Sequence, residues 1–189
     1  MDNYPEHLAP EFEEGGGVAT PFEEWWKIVQ PSFSKVPEEV ARFWLHEHWS
    51  HSPFSWLPSA EYRFEKKEWP SSELCNIRSG WCEFSPDNEK CKAQGKYLID
   101  GRPEAARYPT ARYMVENVDF PTPIIVLDNR DGHLVQGVLP TSAWSRLPPA
   151  FILIEGHRRF NMALYLVAVG RFVPTVNVWM MLRDSQQGI

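Results

Sequence analysis

Phe151-Ile152-Leu153-Ile154-Glu155-Gly156-His157-Arg158-Arg159 runs directly into Phe160-Asn161-Met162-Ala163-Leu164-Tyr165-Leu166-Val167-Ala168. Four consecutive apolar residues, Phe151 to Ile154, suit a short buried strand. Phe160, Ala163, Leu164, Val167 and Ala168 recur at helical spacing, and Gly170 follows as a stop. The stretch therefore predicts a strand, a turn at Glu155-Gly156, and a helix whose first turn carries His157, Arg158 and Arg159. Unpaired N–H groups and the positive end of the helix dipole favour an anion at such a start. Two guanidiniums add charge-assisted donors shaped for phosphate oxygens. Arginines in a first turn also oppose the dipole, and a salt bridge to Glu155 is the ordinary structural alternative. The glycine spacing of a P-loop or dinucleotide-binding turn is absent.

Outward from this stretch the pattern continues to alternate. Pro123-Ile124-Ile125-Val126-Leu127-Asp128 reads as a β-branched strand, and Asn129-Arg130-Asp131-Gly132 has turn chemistry. Leu134-Val135-Gln136 is a candidate short partner, and a proline-rich insert from Leu139 to Pro149 leads into the opening stretch. Val173-Pro174 introduces a last strand through Met181, with proline suited to its start. Upstream, a helix is expected over 102–117, kinked or broken at Pro109. Residues 49–101, interrupted by Pro53, Pro58, Pro70 and Pro86, read as irregular. Thr20-Pro21 with Glu23 and Glu24 is a helix-start signal for Trp25, Trp26, Ile28 and Val29, ended by Pro31. A second helix starts near Pro37-Glu38-Glu39 with Val40, Phe43 and Trp44.

The implied architecture is α+β: a small mixed sheet flanked by helices, with a Trp-rich helical elaboration on its N-terminal side. With 189 residues and 43% hydrophobic content the chain can bury a real core. A flexible acidic arm over 1–20 is expected to precede one domain over 21–189. Its elaboration covers about 21–118 and its motif-bearing part about 119–183. Cys75, Cys82 and Cys91 form neither a CxxC pair nor a zinc ribbon, so reduced thiols are expected. No signal segment or membrane-length apolar run is evident, and the expectation is a cytoplasmic protein without membrane insertion.

The net charge of −6 is unevenly spread. Residues 1–24 hold seven acids and no Lys or Arg, leaving 18 acids against 19 bases over the rest. Lys90, Lys92, Lys96, Arg102, Arg107 and Arg112 meet only Asp100 and Glu104 within the same stretch. That is a candidate DNA-tracking patch, or equally a solvated face. His46, His48 and His51 do not share one helical face, which argues against a metal site there. Most of the nine tryptophans are expected in the core, and an exposed one would be fit to stack a nucleic-acid base.

The ordered set of the 124–127 strand, the strand ending Glu155-Gly156-His157-Arg158-Arg159, a helix with Ala163 and a final strand after Val173-Pro174 resembles the ParB/sulfiredoxin superfamily, in its ParB-like nuclease branch. That branch has an acid, Gly, His, a variable residue and Arg, then Ala four residues on. Glu155, Gly156, His157, Arg159 and Ala163 match position by position. Partition-type members carry Glu where His157 stands, which argues against CTP clamping. Sulfiredoxins carry their catalytic Cys there, which argues against sulfinic acid reduction. The whole chain, with its acidic start and Trp-rich helices, resembles plasmid-encoded fertility inhibition factors of this superfamily.

That resemblance implies a bacterial ATPase and DNase that blocks DNA export by a competing type IV secretion system. ATP and Mg²⁺ would be its substrate and cofactor, DNA its target, and coupling or relaxosome proteins its candidate partners. Residue chemistry allows a division of roles. Gly156, Arg158 and Arg159 would hold phosphate, Glu155 would bind Mg²⁺ or orient water, and His157 would move a proton near neutral pH. The alternatives are a non-enzymatic inhibitor that docks a secretion component, and a nucleotide-sensing switch that leaves DNA intact.

Overall fold

The computed structural model describes residues 6–49, 52, 54, 57, 59–101, 109–135 and 146–184. It is mixed α+β, as the two hydrophobic periodicities predict. The elements are α1 (Phe22–Val29), α2 (Glu38–Val40, running into a π-helical stretch Ala41–His46), β1 (Tyr62–Pro70), β2 (Ile77–Arg78), α3 (Glu89–Asp100), α4 (Pro109–Asn117), β3 (Ile124–Asp128), β4 (Phe151–Glu155), α5 (His157–Ala168) and β5 (Thr175–Arg183). The strand order is β1-β5-β3-β4-β2. The chain divides into two compact units, one of residues 1–65 with 181–189 and the other of residues 66–180.

In the first unit the aromatics supply the core. Phe22, Trp25, Trp26, Val29, Phe33, Val40 and Trp44 are buried, whereas Ile28 is 74% exposed on the opposite face of α1. The acidic arm is tied in from Glu6 onward. Leu8 is buried and its carbonyl accepts the Trp25 indole N–H at 2.8 Å, while Phe12 and Val18 form an antiparallel bridge. Pro21 occupies the N-cap position of α1. The Thr20 carbonyl lies 2.8 Å from His46 Nε2, and His46 packs edge-on to Phe22. His46 is thus a core histidine, with His48 near Glu47. His51 lies outside the described residues.

In the second unit the continuous apolar runs of β3 and β4 lie at the sheet centre, where both faces are covered. Ile124 to Leu127 and Ile152 to Ile154 are all buried. β3 and β4 pair antiparallel, and β2 joins β4 in parallel. Leu134 and Val135 form no strand; instead the Asn129 side chain bonds both the N–H and the carbonyl of Leu134. Gln136 and residues 139–145 of the proline-rich insert lie outside the described residues, as do 102–108 of the helix expected over 102–117. The described part of that helix runs Pro109–Asn117 and opens on the proline, which fits a first turn where no N–H is needed.

Two further expectations are corrected. The stretch read as irregular contains β1, β2 and α3. β1 is an edge strand of mostly polar residues, and α3 takes its order from packing on α5, so neither needs a strong apolar repeat. The second correction concerns the cysteines. Cys82, closing the 3-10 turn Gly80–Cys82, is disulfide-bonded to Cys91 in α3, with the Cα atoms 5.8 Å apart; Cys75 is free and exposed. A turn between them, finished by Glu83 and Phe84 at φ 55°, brings them together despite a spacing that matches no familiar motif. Closing a loop of this length contributes about 2–3 kcal/mol in the chain-entropy account. The Cys82→Ser/Cys91→Ser double variant is expected to lose about that much in urea denaturation, and wild type in dithiothreitol to match it. An unchanged midpoint in both would remove the bond's structural role.

Candidate functional site

The β4–α5 turn is built from the sheet outward. Ile125 pairs with Glu155 and Val126 with Leu153, so Ile154 is the extra residue of a β-bulge one position before the motif acid. Bulges re-aim the side chains that follow them. Gly156 then turns the chain at φ 95° and ψ 27°, the left-handed region, and serves as the N-cap of α5 without a side-chain cap. A Cβ here would stand 2.6 Å from Ile124 Cγ2. Glycine is required both for the dihedral and for this approach.

The three residues after Gly156 take different directions. His157 is 6% exposed, and its ring stacks on the indole of Trp81, centroids 5.0 Å apart and planes at 25°. Arg158 is exposed at the helix start. Arg159 turns back into the fold: its Nη1 donates to the Thr122 carbonyl at 3.1 Å, and its Nη2 lies 3.8 Å from Glu155 Oε1. The Glu155 and Arg159 side chains are only 17% and 12% exposed. The structural alternative weighed from sequence, an arginine paired with Glu155, is therefore realised by Arg159. Arg158 is the more exposed of the two arginines.

Glu155 is the acid of this turn. Magnesium is commonly held by one or two carboxylates together with substrate phosphates, so a lone Glu155 fits Mg²⁺ only as part of a nucleotide complex. Among the described residues no group of three His, Cys, Asp or Glu side chains is arranged to hold a metal ion.

The basic stretch is differently disposed. Arg102 and Arg107 lie outside the described residues. Lys90, Lys92 and Lys96 lie on α3 and meet acids: Glu83 at 2.8 Å, Glu89 at 2.7 Å and Asp100 at 4.0 Å. Glu83 and Glu89 stand just before the stretch, so counting acids only within it overstated its positive character. Arg112 is exposed on α4.

α3 nevertheless supports the site, through its packing on α5. Gly95 meets the backbone of Asn161, the Asn161 amide donates to Gln94 Oε1 at 2.7 Å, and Tyr165 donates to Asp100 Oδ2 at 2.5 Å. That last bond holds the Tyr165 phenol above its usual pKa, chiefly because the neighbouring carboxylate accepts its proton in a hydrogen bond. Sequence reasoning missed Trp81 as a neighbour of His157. The sequence assigns no tryptophan to the surface; Trp81 is exposed on the disulfide-held turn. No helix among the described residues is long and apolar enough to cross a membrane. No family model, curated protein or solved structure matches the chain.

Proposed function

We propose that the chain binds and hydrolyses phosphate esters at the start of α5, as an ATPase and deoxyribonuclease that blocks DNA transfer by a competing type IV secretion system. The observation that supports the chemistry is the helix start itself: a glycine N-cap in the left-handed region followed by an exposed arginine. Such a start attracts anions through oriented N–H groups, and Arg158 adds a forked donor. Glu155 would hold Mg²⁺, which supplies charge neutralisation on the phosphate when bound. In that reading His157 would be the proton-transfer group. Arg159 is a positioning residue that fixes Glu155 and the Thr122 carbonyl. The biological role rests on the ParB-like resemblance of the ordered motifs, and DNA and secretion components are the partners it brings.

Arg158→Ala is the test, because it removes the exposed arginine of the first turn and leaves the Arg159 contacts in place. A charge-assisted hydrogen bond contributes about 1.5–3 kcal/mol, so ATP affinity should fall roughly ten- to a hundred-fold. Hydrolysis of ATP and cleavage of plasmid in Mg²⁺ should fall with it. Normal rates in a folded Arg158→Ala protein would sink the reading. The burial of His157 and the Glu155–Arg159 pair favour a second reading, a nucleotide-sensing switch. It predicts ATP turnover with plasmid left intact.

A further inference from the structure

Trp81 is a large aromatic held at the surface by a heavily restrained turn. Cys82 N–H and Phe84 N–H both donate to the Ser79 carbonyl, at 3.0 and 2.9 Å, and the disulfide ties the turn to α3. Trp81 is 45% exposed although Ser79, Gly80 and Cys82 around it are buried. Its ring stacks on His157, which is 6% exposed, so the imidazole backs the indole while indole surface stays open to solvent. The next residue after His157 is Arg158, exposed in the first turn of α5.

An open aromatic surface adjoining a helix start that carries an exposed arginine matches the two halves of a nucleotide. The base is flat and stacks on an indole whatever its identity; the phosphates are anionic and suit the helix start. A protein partner docking on Trp81 would use the apolar ring but would leave the adjoining anion-binding chemistry unexplained. Resting on the phosphate reading above, we propose that Trp81 is the base-stacking platform of the site. A nucleoside triphosphate lays its base on the indole, backed by His157, and directs its phosphates to Arg158 and the start of α5. The imidazole then acts as a second layer under the indole, which gives its burial a role in binding.

The experiment compares ATP with inorganic tripolyphosphate on the full chain by calorimetry. Wild type should bind ATP more tightly than tripolyphosphate. Trp81→Ala should weaken ATP roughly 5- to 100-fold, the range for loss of one base–aromatic stack, and leave tripolyphosphate affinity unchanged. Trp81→Phe, which keeps a ring over His157, should retain most of the preference. Arg158→Ala should weaken both ligands alike. Equal wild-type affinity for the two ligands, or an ATP preference that survives Trp81→Ala, overturns the stacking role while the phosphate site stands. Failure of wild type to bind either ligand overturns both readings. An oligothymidylate that binds through Trp81 when ATP does not would overturn the assignment to a mononucleotide. Denaturation midpoints of the variants confirm that each binding change is measured on folded protein.

Discussion

Gly95→Ala is expected to destabilise the protein by about 3 kcal/mol, the upper part of the usual range for overpacking a tight contact. Helix propensity alone predicts the opposite, since glycine inside a helix costs about 0.5–1 kcal/mol relative to alanine. Packing decides the sign. A Cβ at position 95 would lie 1.9 Å from the Asn161 carbonyl oxygen and 2.5 Å from its carbon. These are backbone atoms of α5, so no rotamer change relieves the overlap and the two helices must separate. Separation would also strain the Gln94–Asn161 and Tyr165–Asp100 hydrogen bonds. Urea denaturation of Gly95→Ala measures the effect. A midpoint equal to or above that of wild type would show that α3 does not approach α5 at this residue.

Gly156→Ala should cost a comparable amount and also weaken phosphate binding. A non-glycine residue at φ 95° costs about 1–3 kcal/mol in backbone strain. The new Cβ would in addition meet Ile124 Cγ2 at 2.6 Å and Arg159 Nη2 at 3.0 Å. Relief would therefore come by moving β3 or by displacing the arginine that fixes Glu155. Gly156→Asn separates the two contributions, because asparagine tolerates the left-handed region but carries the same Cβ. If contact dominates, the asparagine variant is as unstable as the alanine variant, and both substitutions cost less in an Ile124→Ala background, which lacks Cγ2, than in wild type. If strain dominates, asparagine recovers most of the loss. Wild-type stability in both variants would contradict the turn geometry described above.

The elements legible in the sequence are those whose side chains repeat with the period of the backbone and whose ends carry strong local signals. β3, β4, α5 and β5 satisfy this, and their succession predicted the turn at Glu155-Gly156. Gly156 was legible for the same reason, since a glycine between an apolar strand and a helix repeat marks a reversal. β1 and α3 were illegible because little of their stability is local. β1 reads Tyr-Arg-Phe-Glu-Lys-Lys-Glu-Trp-Pro at a sheet edge, where one strand neighbour suffices. α3 contains Gly95, a helix-disfavouring residue kept for the approach to Asn161. Cys82 and Cys91 were unreadable as a pair because their proximity depends on Glu83 and Phe84 adopting positive φ.

The candidate site divides along the same line. Residue order alone established the strand–turn–helix frame and the presence of Glu155, His157, Arg158 and Arg159 at a helix start. Which arginine pairs with Glu155, and what covers His157, were decided by long-range packing. The Thr122 carbonyl and Glu155 draw Arg159 inward, and a turn more than seventy residues upstream lays Trp81 on the imidazole. Backbone periodicity is a property of neighbours in the chain and can be read from them. Side-chain direction at a site depends on atoms brought in from distant segments, and so it emerges only when the chain has folded.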